Sequence, residues 1–190
     1  DIMSKIRTKD TKSQKNKNIE ILRKGGIGVM PTDTIYGVVG QALNKKTVER
    51  IYAVRKRTPS KPMIILISSF DDLKLFNIKI ELERLNKFWP GKVSIILPCP
   101  DEKFYYLHRG SNSLAFRLPN NENLQKLISQ TGPLVAPSAN LEGLPPATTI
   151  KEAKKYFGDK VDFCLDGGKI EGSPSKLIKL GNGEIIELRK

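Results

Sequence analysis

A single-domain mixed α/β fold, a twisted sheet flanked by helices, is the class that the sequence predicts, and three observations predict it. Short apolar runs suited to strands interleave with segments of helical spacing. The chain closes on two strand-like runs joined by a tight-turn signal, and no repeat or composition break divides it. Its 190 residues, 38% hydrophobic and 28% charged, suit one packed core and exclude wholesale disorder.

The elements follow in order. The leader from Asp1 to Asn16 has little apolar surface beyond Ile2, Met3 and Ile6 and is rich in Lys, Ser, Thr and Asn. It is expected to be mobile, serving as a basic arm for RNA or as a solubilising tail, with the domain proper over 17–190. Asn18 to Lys24 reads as a helix end with Ile19 and Leu22 on one face, stopped by Gly25 and Gly26. Ile27 to Met30 is a short strand that leads into the hydroxyl-rich loop Pro31 to Gly37. Val48, Ile51, Tyr52 and Arg55 share helical spacing and predict a helix over 46–57, ended by Pro59 and Pro62. Met63 to Ile67 is a continuous apolar run, as in a strand covered on both faces. Helical segments are expected over 71–76, 81–89, 122–130 and 150–156. Strands are expected over 93–97, 114–118, 134–136, 161–165, 176–180 and 184–188, the last two joined at Gly181-Asn182-Gly183.

Charge points to an anionic partner. There are 33 basic and 20 acidic residues, a net charge of +13, and eight of the basic ones fall in the first 24 residues. No apolar run approaches the roughly 20 residues of a membrane span, so a soluble, untargeted chain is expected. Two isolated cysteines, Cys99 and Cys164, and one histidine, His108, argue against a zinc site or disulfide scaffold, and the cysteines fit core packing in a reducing cytoplasm.

Strand-end loops carry the candidate chemistry. Arg55-Lys56-Arg57 with Lys61 puts four cations in seven residues at a helix end, either a solvated face or a polyphosphate clamp. Alternation places Ser113, Ala115 and Arg117 on one strand face, where Arg117 needs a structural salt bridge or a ligand's carboxylate or phosphate. Pro137-Ser138-Ala139-Asn140 follows a buried strand with hydroxyl and amide groups at its C-terminal end, the edge where α/β sheets usually bind ligands. Thr32 and Thr34 read as turn caps or ligand hydroxyls, and Gly172 to Lys176 as a further candidate loop. No P-loop motif is present.

In order along the chain, Gly25-Gly26, Pro31 to Gly37, Arg55-Lys56-Arg57 with Lys61-Pro62, Trp89-Pro90-Gly91, Arg117-Leu118-Pro119 and Pro137 to Asn140 resemble the YrdC-like family of threonylcarbamoyl-AMP synthases, over residues 18–190. The resemblance implies a twisted sheet with a concave basic face. It implies the conversion of L-threonine, bicarbonate and ATP into threonylcarbamoyl-AMP and pyrophosphate, for tRNA modification completed by partner proteins. Carried onto this sequence, it implies threonine-binding roles for Thr32 or Thr34, Arg117 and Ser175. ATP contacts fall to Arg55, Arg57, Lys61, Ser113, Ser138, Asn140 and Arg189, with Arg55 and Arg57 as catalytic cations and Mg2+ accompanying ATP.

Arg55 stands where the family signature has lysine, and Leu66 stands near a histidine of two-domain relatives. The related YciO-like branch generally lacks the residues found here as Ser138, Asn140 and Arg57. The rival from another class is a non-enzymatic RNA-binding module. The 13 aromatic residues form no basic-aromatic stripe, which argues against single-strand stacking and leaves duplex binding open.

Overall fold

The computed structural model describes residues 2–181 and 183–190, and for residues 2–11 the backbone alone. Among these residues one nine-stranded sheet runs in the order β7-β1-β2-β6-β3-β5-β4-β8-β9. Its strands are β1 (Gly28–Pro31), β2 (Tyr36–Gln41), β3 (Ile65–Leu66), β4 (Val93–Pro98), β5 (Ser113–Arg117), β6 (Leu134–Val135), β7 (Phe163–Cys164), β8 (Lys176–Leu180) and β9 (Ile185–Arg189). The helices are α1 (Ile2–Arg23), α2 (Lys45–Arg55), α3 (Tyr105–His108), α4 (Glu122–Thr131) and α5 (Ile150–Phe157). Pairing is mixed: β1–β7, β3–β5 and β4–β8 are parallel, and the other five neighbours are antiparallel.

The two-residue period of the strands sorts their side chains between two cores. Val29, Val38, Ile65, Ile95, Leu114, Phe116 and Ile178 join α2 and α5 on one face. Their neighbours Met30, Val39, Leu66 and Leu134 pack on the other face against Ile19 and Leu22 of α1 and Leu124, Leu127 and Ile128 of α4. On β5, β4 and β8 that second face instead presents Ser113, Ala115, Arg117, Ile96 and Leu177 to a cavity. The candidate site is thus the part of this face that α1 and α4 leave uncovered.

The leader expected over 1–16 overlaps the backbone span of α1, residues 12–17 are mostly exposed, and among the residues with described side chains burial begins at Asn18 and Ile19. Several other expectations are corrected. The side-chain part of the RNA-arm reading over residues 1–11 lies outside the described residues, as does Asn182 of the expected turn. The segments at 71–76 and 81–89 form 3-10 turns, Phe70–Phe76 and Leu82–Arg84, instead of α-helix. The run 63–67 shortens to the two paired residues of β3, and β2 was not expected, since its Gly37 and Gly40 break the look of a strand. Two bonds explain the shape at β2: Pro137 O accepts from Val38 N at 2.9 Å and Tyr36 O from Ala139 N at 2.9 Å, which fastens the Ser138 loop beside this strand.

Candidate active site

Helix α2 decides where two neighbouring arginines go. Its N-terminus is capped by the Asn44 side chain, which accepts from Thr47 N, and its inward stripe is Thr47, Val48, Ile51, Tyr52 and Arg55. Arg55 belongs to that stripe and is 2% exposed. Its Nε donates to Ser138 O at 2.8 Å, and its Nη2 to Ser138 Oγ and Asn140 Oδ1, both at 3.3 Å. Nη1 has no partner, and burial pushes the guanidinium down to about 10. Lys56 then takes a left-handed conformation with φ 50°, which ends the helix and turns Arg57 away from the stripe. Arg57 lines the cavity and is held by its Nε on Lys61 O at 3.1 Å and its Nη2 on Pro62 O at 2.7 Å.

The opposite wall is built around Arg117, which alternation along β5 aims at the same side as Ser113 and Ala115. Arg117 is 3% exposed and paired with Asp33, whose side chain is 5% exposed. Asp33 Oδ1 accepts from Arg117 Nη2 at 2.9 Å and from Nε at 3.2 Å. Arg117 Nη1 reaches Ser94 Oγ at 3.3 Å, and Nη2 reaches Thr34 Oγ1 at 3.4 Å. A flat sheet would hold β2 and β5, three neighbours apart, about 14 Å from each other. The contact exists because the loop between β1 and β2 folds over the sheet, where Thr32 Oγ1 donates to Ile35 O at 2.6 Å. Ser94 Oγ also meets Ser175 Oγ at 2.6 Å, and Arg189 on the last strand donates from Nε to Ser175 O at 2.8 Å. Burial, and then the charge of Arg117, pushes the Arg189 guanidinium below its ordinary value.

The enclosed volume is about 390 Å³, within the usual size of small-ligand sites. Thr32, Thr34, Arg57, Ser113, Arg117, Ser138, Ser175 and Arg189 line it. Three residues expected at the nucleotide stand outside the wall. Arg55 is behind it for the reason just given. Asn140, 6% exposed, turns its amide inward to Arg55 and to Leu141 O. Lys61 points to Glu142, Nζ to Oε1 at 2.6 Å, because that carboxylate is also fixed by the Thr58 hydroxyl at 2.8 Å. Ser111 and Pro174 in the wall fall within candidate strand-end loops, 111–117 and 172–176, whereas Leu177 in the wall and Asp33 and Ser94 behind it were not singled out by the sequence. Of these, Asp33 was visible as a lone acid inside a hydroxyl-rich loop.

Fold and site together define a class: a mixed-sheet protein with a small cavity walled by guanidinium and hydroxyl groups. The model of the Sua5/YciO/YrdC family, described as telomere recombination, matches residues 20–190, and the chain belongs to this family. It is 34% identical over 173 residues to the threonylcarbamoyl-AMP synthase of Pyrococcus abyssi, covering 88% of this chain and 51% of that protein. It is 31% identical to the threonylcarbamoyl-AMP synthase of Buchnera aphidicola, covering 87% of this chain and 98% of that one. The crystal structure of P. abyssi Sua5 complexed with L-threonine superposes with a TM-score of 0.84 at 31% identity, over 92% of this chain and 53% of that chain. The chain thus spans about half the length of the Pyrococcus protein. Among the described residues no helix is long and apolar enough to cross a membrane.

Proposed function

We propose that the protein is a threonylcarbamoyl-AMP synthase that joins L-threonine, bicarbonate and ATP, releases pyrophosphate, and supplies its product to tRNA modification in the cytoplasm. The observation that carries this reading is the convergence of three guanidiniums and six serine and threonine hydroxyls on one small cavity. The names of the synthase relatives and the threonine complex of P. abyssi Sua5 support it.

In this reading Arg117, with Ser175 and Thr34 beside it, receives the amino acid's carboxylate. Arg57, Ser113, Ser138 and Arg189 receive the nucleotide. The threonine amine, deprotonated, takes up the carbon of bicarbonate with loss of water, and a carbamate oxygen of the resulting N-carboxy-threonine attacks the α-phosphorus. The bond from that phosphorus to the bridging oxygen breaks, and pyrophosphate leaves with the electron pair. A weak nucleophile and a highly charged leaving group ask the protein for orientation and charge neutralisation, which fixed guanidiniums supply. Magnesium is assigned no protein ligand. Among the described residues no group of three His, Cys, Asp or Glu side chains could hold a metal, and Asp33 is engaged with Arg117. An ion of this kind belongs to the phosphate oxygens of the ATP substrate.

The test is pyrophosphate release by purified protein with threonine and then bicarbonate omitted in turn. Release that requires both supports the synthase. Salt-sensitive tRNA binding without turnover would assign the cavity to RNA instead.

A further inference from the structure

We propose that Asp33 acts as a charge filter, making the Arg117 end of the cavity select an α-amino acid over other small carboxylates. The proposal rests on the synthase reading and adds a residue that does not touch the ligand.

Three charges meet at this end of the cavity: Arg117, Arg189 and Asp33. Arg189 feels the charge of Arg117, and Asp33 is bonded to it. Asp33 offsets the charge of Arg117, and Arg189, which faces the nucleotide, borders this end with its charge intact. Only one Asp33 oxygen is engaged, since Oδ1 takes both Arg117 bonds while Oδ2 is buried without any partner. The negative charge of Asp33 is therefore offset by Arg117 alone.

A carboxylate arriving at Arg117 also meets this second anion. The repulsion is strong, because charges near a protein surface interact several-fold more strongly than in bulk water. A ligand that arrives with an ammonium next to its carboxylate, as threonine does before its amine is carboxylated, converts that repulsion into attraction. A hydroxy acid or a plain carboxylate cannot. Asp33 Oδ2 has no accessible surface, so the effect is exerted through its field and through the orientation it imposes on Arg117, whose Nη1 is left toward Ser94. Asp33 thereby penalises the wrong ligand, the part of specificity that attractive contacts alone do not supply.

The experiment is isothermal titration of the full chain with L-threonine and with 2,3-dihydroxybutyrate, in which a hydroxyl replaces the amine, for wild type and Asp33→Asn, each checked for folding by circular dichroism. Wild type is expected to prefer threonine by about tenfold or more, and Asp33→Asn to bring the two ligands within about threefold, chiefly by gaining affinity for the hydroxy acid. Wild type that binds both ligands equally overturns the proposal without any variant, so a poorly folded Asp33→Asn does not shield it. An unchanged preference in a folded variant overturns it as well. Failure of wild type to bind threonine, with no threonine-dependent turnover, instead removes the synthase reading beneath it.

Discussion

Replacing Arg55 by alanine tests whether a buried cation shapes a cavity that it never enters. The guanidinium makes one short bond, 2.8 Å to Ser138 O, and two longer ones at 3.3 Å to Ser138 Oγ and Asn140 Oδ1. Two of the three acceptors have a second donor: Asn140 N reaches Ser138 O at 3.0 Å, and Ser138 Oγ reaches Asn140 Oδ1. Neither of these is orphaned, so the main loss is one good charge-assisted bond, about 1.5–3 kcal/mol, with the void left by a long side chain added to it. Relief of the desolvation that lowers the Arg55 pKa to about 10, and of the unpartnered Nη1, offsets part of this. The net expectation is about 2 kcal/mol, or about 4–8 °C in Tm for a chain of this size. Urea unfolding followed by circular dichroism measures the stability, and calorimetry measures ATP affinity, which should fall modestly as Ser138 loses its backing. A variant as stable as wild type that has nonetheless lost ATP binding by a hundredfold would refute the reasoning. Arg55 would then have to contact the nucleotide directly, as the family resemblance implies.

Arg57→Ala should lower turnover by about 100–1000-fold with little change in Tm, because it removes a donor at the developing charge; equal kcat in steady-state assays refutes this. Arg117→Ala should raise the KM for threonine far more than that for ATP, and an unchanged threonine KM ends its assignment as the carboxylate partner. The Glu142 carboxyl is held down to about 2, against an ordinary 4.5, first by the Lys61 hydrogen bond and then by Thr58. Since the folded value lies below the unfolded one, this contribution is complete above the unfolded value and is lost as pH falls toward the folded one. The stability gap between wild type and Glu142→Gln should therefore stay level from about pH 7 to about pH 5 and shrink below that in denaturant titrations; a gap that stays level into strong acid removes the prediction. Gly172→Ala would place a Cβ 2.2 Å from Thr34 O. The loop before β8 must then lift off the Thr34 loop, so threonine affinity should fall while ATP affinity stays near wild type, both read by calorimetry.

How far the site was legible in the sequence depended on which rule governed each residue. Period two along β5 put Ser113, Ala115 and Arg117 on one face, and the cavity lies on that face. Period 3.6 along α2 already placed Arg55 on the apolar stripe of Val48, Ile51 and Tyr52, so its burial followed from the helix pattern, even though its chemistry suggested a phosphate ligand. The left-handed Lys56 that separates Arg55 from Arg57 had no marker, since glycine is the usual residue there. Asp33 and Arg117 are 84 residues apart, and their pairing depends on a loop folding across the sheet, which no local pattern encodes. Strand β2 escaped for a related reason: its buried face is completed by glycines against which Thr47 and Ile51 pack, a Cβ at Gly40 coming within 2.5 Å of Thr47 Cγ2.

The net charge of +13 does not by itself make an anion site, because like charges left to themselves spread apart. What concentrates three guanidiniums on one cavity is the set of acceptors behind each: Lys61 O and Pro62 O for Arg57, Asp33 for Arg117, Ser175 O for Arg189. Two of these sets are backbone carbonyls, which orient an arginine without cancelling its charge. The third is a carboxylate, which orients and cancels at once. The end of the cavity that keeps its full positive charge suits a polyphosphate. The end where Asp33 subtracts from that charge suits a ligand that carries both signs, and so, on the synthase reading proposed above, the backing atoms supply a means of sorting two substrates before either touches the wall.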